Sequence, residues 1–202
     1  MTRPRLVLAS QSPARLATLR SAGLEPDVIV SGVDESVVVS DDPVVVATEL
    51  ARLKCRAVSH RLASPDDTLV IGCDSVLAFD GEILGKPSDP QTAVERWRAM
   101  RGRSGVLHTG HCVRLGEREI SDDGATTVHF ADLDDAEIEA YVATGEPLQV
   151  AGAFTVDGLG GPFVERIEGD HHNVVGLSLP LLRRMLAGLG VRWTDLWDAS
   201  RG

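Results

Sequence analysis

The sequence predicts an α/β fold, because apolar strand-like runs alternate with segments of helical periodicity along the chain. The clearest strand is the apolar run at 69–79, and the clearest helix follows Asp42, with apolar residues at i, i+4, i+7 and i+11. With 202 residues, 43% of them apolar, the chain can build one well-buried core or two small lobes. It contains no internal repeat, and we expect a single domain over residues 1–202.

The first strand and the turn after it form a candidate phosphate site. Residues 6–9 are an apolar run that predicts a buried strand, and Ser12 is a natural N-cap for a helix that begins at Pro13. Ser10 therefore lies on a strand-to-helix turn whose free N–H groups attract phosphate. Arg15 can add a planar guanidinium. The alternative is a capped surface helix with a solvated arginine.

Three carboxylates are candidate metal ligands or bases. Asp74 lies in the middle of the apolar run at 69–79, and a buried carboxylate must be paired, protonated or bound to a metal. Asp34 and Glu35 follow a strand-like segment at 28–30, and two carboxylates at a strand end can hold a hard cation. Acidic pairs are also common on solvated loops, so this pair alone does not identify a metal site.

Two lysines are candidates for neutralising a phosphate. Lys54 borders the apolar stripe of the second helix, so its stem can pack while its ammonium reaches a site or faces water. The Asp-Gly dipeptide at 80–81 predicts a two-residue hairpin loop. The register of that hairpin places Lys86 opposite Ser75 and beside Asp74. A structural Asp–Lys pair is the alternative to a binding role.

The second half of the chain continues the alternation of strands and helices. Its predicted elements are an amphipathic helix around Trp97, strands at 106–115 and 126–130, a helix from Asp134 to Thr144, and a last helix that begins at Pro180. His108 and His129 lie in the two strand-like runs, and we interpret both as structural histidines rather than metal ligands.

Composition excludes several classes of function. A net charge of −10 argues against a nucleic-acid-binding protein, because such proteins rely on basic surfaces. The three cysteines lack metal-type spacing and are odd in number, which favours a reducing compartment. No apolar run of about 18 residues and no signal peptide is present, so we expect no membrane contact and a cytoplasmic location by default.

Several motifs follow one another in a specific order. They are LASQSPARL, VDES, ARLKCRAV, GCDSV and LGKP, followed later by TGEPLQVAGAF and NVVGLSLPLL. Over roughly residues 6–186 this order resembles the Maf family of nucleoside triphosphate pyrophosphatases, part of the inosine-triphosphatase-like superfamily. The resemblance implies an elongated mixed central sheet flanked by helices, with two lobes and a cleft between them. Residues 190–202 would form a C-terminal tail.

The resemblance also implies a reaction. A nucleoside triphosphate of a non-standard or modified kind would be hydrolysed to the monophosphate and pyrophosphate by water attack at the α-phosphorus, with Mg²⁺ or Mn²⁺. Family members often form homodimers. The implied catalytic residues are Asp74 as general base, Glu35 as a catalytic or metal-associated acid, and Lys86. Asp74 and Glu35 are also the implied metal ligands. The implied substrate-binding residues are Ser10, Arg15, Lys54, Ser75 and Asp157.

The chain departs from the family pattern at three positions linked to base specificity. Ala14 replaces an arginine, Ser75 replaces a threonine, and Asp157 replaces a glutamine or glutamate. The preferred base is therefore not carried over. The alternative function is a nucleotide-binding regulator of cell division or septum formation. Such a protein would bind a nucleotide without turning it over.

Overall fold

The structure, a computed structural model that describes residues 4–197, is built around a seven-stranded mixed sheet. The strands are β1 (Arg5–Leu8), β2 (Asp27–Val28), β3 (Thr68–Phe79), β4 (Glu82–Leu84), β5 (Ser104–Leu115), β6 (Arg118–Phe130) and β7 (Val164–Glu168). Their order is β2-β1-β3-β5-β6-β7, and β4 pairs with β3. β1 runs parallel to β2 and β3, whereas the other pairs are antiparallel. The predicted α/β class and mixed sheet are confirmed.

Within residues 4–197, six α-helices flank the sheet. They are α1 (Pro13–Ser21), α2 (Pro43–Ser59), α3 (Pro90–Met100), α4 (Asp135–Ala143), α5 (His171–Val175) and α6 (Leu179–Gly188). The N-caps predicted for α1, α2 and α4 are confirmed, because Ser12, Asp42 and Asp134 each accept a hydrogen bond from a backbone N–H of the first helical turn. None of the helices in residues 4–197 has the length and apolar character needed to cross a membrane.

β3 belongs to both halves of the molecule. On one edge it pairs with β1 at residues 68–71 and with β4 at residues 77–79. Between these two ladders, residues 72–76 have no strand neighbour on that edge within the described chain, while the opposite edge pairs continuously with β5. Separate apolar clusters lie towards the two ends of β3, one around Ile71 and the other around Leu77. These two clusters agree with the two lobes implied by the family resemblance.

α2 lies directly against one face of the sheet at two glycines. A Cβ atom at Gly72 of β3 would overlap the backbone of α2 at Ala51, and a Cβ atom at Gly110 of β5 would overlap it at Ala47. Glycine in a strand is typical of a site where another backbone approaches closely. This approach brings Lys54 of α2 to the sheet beside β3.

The predicted hairpin forms and then ends early. Residues 77–79 pair with 82–84 in the expected register, with positive φ angles of 55° at Asp80 and 84° at Gly81. The ladder stops at Leu84, so the predicted pairing of Ser75 with Lys86 is wrong.

The early end of the hairpin has a physical reason. The carbonyl of Gly85 accepts hydrogen bonds from Arg96 Nη1 at 2.7 Å and from Gly152 N at 3.2 Å, so it is committed to another part of the fold. Pro87, two residues on, has no N–H to donate to a ladder. Lys86 consequently lies in an exposed bend between the two.

The described part of the C-terminal tail packs on the first lobe. Trp193–Leu196 forms a 3₁₀ turn, and Leu196 is buried in the cluster around Ile71. The indole Nε1 of Trp197 donates to the carbonyl of Ala22 at 3.1 Å, and its ring covers Gly23. The last residues of the predicted tail, 198–202, lie outside the described part of the chain.

Candidate active site

The candidate site lies beside the stretch of β3 that has no strand partner on one edge. Ser10 comes from the turn after β1, Arg15 from α1 and Lys54 from α2, and Asp74 lies in β3. Glu35 begins a 3₁₀ turn that precedes α2. Of the predicted site residues, the structure brings together Ser10, Arg15, Glu35, Lys54, Asp74 and Ser75.

One ammonium group bridges two carboxylates at the centre of this cluster. Lys54 Nζ lies 2.5 Å from Asp74 Oδ1 and 2.6 Å from Glu35 Oε1. The side chains of Lys54 and Asp74 are each 11% exposed, whereas that of Glu35 is 59% exposed. Lys54 and Asp74 therefore form a buried ion pair, and Glu35 closes it on the solvent side.

Asp34 does not join this cluster. Its carboxylate accepts from Ser36 N at 3.0 Å and from Ser36 Oγ at 2.7 Å, which caps the 3₁₀ turn that begins at Glu35. These hydrogen bonds lower the pKa of Asp34. Of the acidic pair, only Glu35 reaches Lys54, and Asp34 supports the turn that presents it.

Burial sets the protonation chemistry of Asp74. Removing its carboxylate from water raises the pKa of Asp74, and the nearby charges of Lys54 and Arg15 offset this effect only in part. A carboxylate with a raised pKa is a stronger proton acceptor than an ordinary aspartate. Perturbed carboxylates of this kind are typical of catalytic sites.

Arg15 takes the place of a missing strand neighbour. Its Nη1 donates to the carbonyl of Cys73 at 2.8 Å, and its Nε donates to the carbonyl of Gly176 at 2.8 Å. The guanidinium also donates to Ser10 Oγ at 3.2 Å and to Ser75 Oγ at 3.1 Å. Arg15 therefore joins α1, β3 and the end of α5, and it positions two serine hydroxyl groups at the site.

The two hydroxyl groups differ in what they can offer a ligand. Ser10 Oγ accepts from Ser12 N at 3.1 Å and from Arg15, so its own proton is free to be donated. Thr109 Oγ1 lies 2.9 Å from Ser75 Oγ and donates to the carbonyl of Asn173. The proton between the two hydroxyl groups must then come from Ser75. Ser10 can donate to a phosphate oxygen. The proton of Ser75 is instead used in the hydrogen bonds that run through Thr109 to Asn173 of α5.

Asn173 anchors α5 beneath the site. Its amide Nδ2 donates to the carbonyl of Gly124 at 2.9 Å, to the carbonyl of Leu107 at 3.2 Å and to Thr126 Oγ1 at 3.2 Å. Reasoning from the sequence missed Thr109 and Asn173. Asn173 could have been found, because it opens the NVVGL segment of the family resemblance.

His111 is a buried structural residue close to this network. Its Nδ1 lies 2.8 Å from the carbonyl of Thr109, and its Nε2 accepts from Ser178 N at 2.8 Å. An imidazole that donates through one nitrogen and accepts through the other is neutral. Burial agrees with this assignment, because it lowers the pKa of His111 to about 4.

The other two predicted site residues lie outside the cluster. Lys86 and Asp157 are both exposed and make no hydrogen bond or ion pair with the described residues. The loop that carries Asp157 is nevertheless held firmly. The carboxylate of Glu146 accepts hydrogen bonds from Tyr141 Oη, Thr155 Oγ1, Leu159 N and Gly160 N.

The carboxylates of Glu35 and Asp74 suit a divalent cation. Among residues 4–197, no group of three or more His, Cys, Asp and Glu side chains could hold a metal by itself. Mg²⁺ usually binds through one or two carboxylates together with substrate phosphates. The second oxygen of each carboxylate makes no hydrogen bond with the described residues. Two such oxygens fit a cation that is held jointly with a phosphorylated substrate.

Comparisons with known proteins agree with this description of the site. The family model described as Maf-like protein matches residues 5–189. A nucleoside triphosphate pyrophosphatase of Salinispora tropica is 65% identical over 203 residues, which cover 98% of this chain and 88% of the relative. A protein of the same name from Streptomyces coelicolor is 57% identical, covering 96% of this chain and 95% of the relative.

A solved structure resembles the fold. The Ham1 protein of Staphylococcus aureus superimposes with a TM-score of 0.52, covering 92% of this chain and 99% of its own. The two sequences are 16% identical, so this likeness concerns the fold alone.

Proposed function

Because the chain belongs to the family of Maf-like proteins, we propose that it hydrolyses a nucleoside triphosphate to the monophosphate and pyrophosphate. The names of the relatives from Salinispora and Streptomyces support this reaction. The observation that carries the proposal is the buried Lys54–Asp74 pair, closed by Glu35, in one cluster with Arg15 and Ser10 of the strand-to-helix turn.

Substrate binding uses the groups that this cluster leaves available. Ser10 donates its hydroxyl proton to a phosphate oxygen, and the N-terminus of α1 adds the backbone N–H of Ala14 and a partial positive charge. Lys54 neutralises phosphate charge as the triphosphate competes with Glu35 for its ammonium. Arg15 holds Ser10 through a hydrogen bond to its hydroxyl group, and its positive charge lies next to that hydroxyl group.

In the hydrolytic step, Asp74 acts on the water. Its raised pKa suits it to orient a water molecule and accept a proton as that water attacks the α-phosphorus. The bond to the pyrophosphate oxygen breaks on the opposite side of the phosphorus. Mg²⁺ or Mn²⁺ held by Glu35, Asp74 and the substrate would neutralise phosphate charge and lower the pKa of the water.

We further propose that the substrate is a non-standard or modified nucleotide, so that the enzyme removes such nucleotides from the cellular pool. The resemblance to the Maf family motivates this proposal, whereas the departures from the family pattern at Ala14, Ser75 and Asp157 leave the preferred base open. A homodimer and a cytoplasmic location belong to the same proposal.

The test is a panel of standard and modified nucleoside triphosphates, with Mg²⁺ or Mn²⁺ and separate assays for pyrophosphate and orthophosphate. We expect release of pyrophosphate that Asp74→Asn abolishes without unfolding the protein. Asp80→Asn is a matched control, since Asp80 lies in the exposed turn that follows the same strand and asparagine also tolerates its positive φ. Nucleotide binding without turnover would favour the regulatory alternative, and release of orthophosphate would overturn the proposed reaction.

A further inference from the structure

A histidine–aspartate pair lies on the same face of the sheet as Asp74. Asp74 pairs with Gly110, and Gly110 pairs with Asp123, so these three residues form one row across β3, β5 and β6. Residues paired in this way share a face, and His108, two residues from Gly110, shares it too. His108 Nδ1 lies 2.8 Å from Asp123 Oδ2.

The path of α2 places His108 on the same side of the helix as Asp74. α2 crosses β3 at Gly72 and β5 at Gly110, where its backbone lies directly above the sheet. Asp74 and His108 each lie two residues beyond these glycines. Because the strands are antiparallel, both residues are displaced in the same direction, towards the C-terminal end of β3. Diagonal neighbours of this kind are about 7–8 Å apart, within reach of one ligand.

The His108–Asp123 pair is largely buried, yet two of its polar atoms have no hydrogen-bond partner among the described residues. The side chains of His108 and Asp123 are 13% and 12% exposed. His108 Nε2 has no hydrogen-bond partner among residues 4–197, and the buried Asp123 Oδ1 has none either. Since an unsatisfied buried polar atom costs free energy, Asp123 Oδ1 points to a partner such as water, an ion or a ligand, whereas Nε2 is open to solvent. Asp123 fixes the ring through Nδ1 and leaves Nε2 facing away from it.

The charged groups of the cluster are largely engaged with one another and with the protein. Lys54 and Arg15 carry positive charge, and Asp74 and Glu35 carry negative charge, so these four side chains cancel. The guanidinium of Arg15 already makes four hydrogen bonds within the protein. A triphosphate therefore gains from a further hydrogen-bond donor beside this cluster, in addition to the divalent cation that would neutralise its charge.

We propose that His108 is a further substrate-binding residue: as an imidazolium it donates from Nδ1 to Asp123, which positions the ring, and from Nε2 to a phosphate oxygen of the nucleotide. This inference rests on the proposed function, because it assigns His108 to the same substrate. It replaces the structural role that the sequence suggested for His108. His129, the other histidine of that interpretation, pairs with Glu168 at 3.0 Å on the β6–β7 side of the sheet.

His108→Asn is the decisive variant, because its amide nitrogen can keep the hydrogen bond to Asp123 while Nε2 is lost. We expect its affinity for inorganic pyrophosphate, measured by calorimetry with Mg²⁺, to fall about 10- to 100-fold, as for one hydrogen bond to a charged group. The KM of the preferred nucleotide should rise by a similar factor. His108→Gln, whose amide reaches the Nε2 position, should recover part of the affinity. His129→Asn, the matched control, should change neither quantity.

Two results separate this inference from the proposed reaction. A protein with normal turnover whose pyrophosphate affinity and KM are the same in His108→Asn would overturn the role of His108 and keep the reaction. A protein that binds pyrophosphate through His108 but releases none from any nucleotide would overturn the reaction and support the phosphate contact.

Discussion

Removing the ammonium from the buried ion pair is the most direct test of how this site is held together. In Lys54→Met, an apolar side chain of similar length replaces the lysine, and Asp74 stays buried without its nearest cation. Both side chains are 11% exposed, so solvent cannot replace the lost partner. Breaking a buried pair by removing one member costs about 3–5 kcal/mol. We expect Lys54→Met to lose a free energy of unfolding of that size at pH 7.

The dependence on pH separates this cause from a simple packing defect. In Lys54→Met, the pKa of Asp74 should rise further, because burial remains and the attraction of the ammonium is gone. An aspartate whose pKa is higher in the folded than in the unfolded state destabilises the protein while it is ionised. The loss should therefore be full above the raised pKa and disappear as the pH falls towards about 4.

The assay is urea denaturation of wild type and Lys54→Met at pH 7 and pH 5. Lys54→Met combined with Asp74→Asn should recover most of the loss, because no buried charge is left unpaired. Glu35→Gln is the matched control, and it should cost less than about 1 kcal/mol, since Glu35 is largely exposed. A loss below about 1 kcal/mol in Lys54→Met, or a loss that does not shrink on acidification, would refute this reasoning.

Three further outcomes are expected. Gly72→Ala should lower the free energy of unfolding, measured with urea, by about 1–3 kcal/mol through overpacking against α2, and lower kcat about 100-fold if the helix shifts by about 1 Å. Unchanged stability and kcat would contradict this close approach. Arg15→Lys should lower the free energy of unfolding by about 2–3 kcal/mol, because an ammonium cannot satisfy the same four acceptors. A loss under about 0.5 kcal/mol in urea denaturation would count against the role of Arg15. The pKa of His111 falls to about 4 in the folded protein, so the free energy of unfolding should drop by up to about 3 kcal/mol as the pH falls from about 6.5 towards 4. An NMR signal of His111 that titrates near pH 6.5 would be the contrary result.

Local chemistry made many elements predictable. The helix starts at Ser12, Asp42 and Asp134 need only a side-chain oxygen within three residues of the N–H groups that it caps. The turn at 80–81 needs only two residues that tolerate positive φ. Such interactions involve neighbours in the chain, so the order of residues is enough to identify them.

Lys86 and Arg15 show where this reasoning ends. The hairpin could have continued to Lys86 on local grounds, but the carbonyl of Gly85 is bound by Arg96 and by Gly152. The sequence indicated a free phosphate-binding fork at Arg15. In the fold its acceptors include the carbonyl of Gly176, which is 161 residues away in the chain.

The types of residue at the site follow from the sequence, because a carboxylate in an apolar strand and a lysine on an amphipathic helix are each visible locally. Their contact was decided by packing. Lys54 reaches Asp74 because Gly72 and Gly110 let the backbone of α2 lie directly on the sheet. The row that joins Asp74 to Asp123 likewise exists only once β3, β5 and β6 pair in register. Contacts across such distances in the chain depend on how surfaces fit together, and no pattern of neighbouring residues encodes that fit.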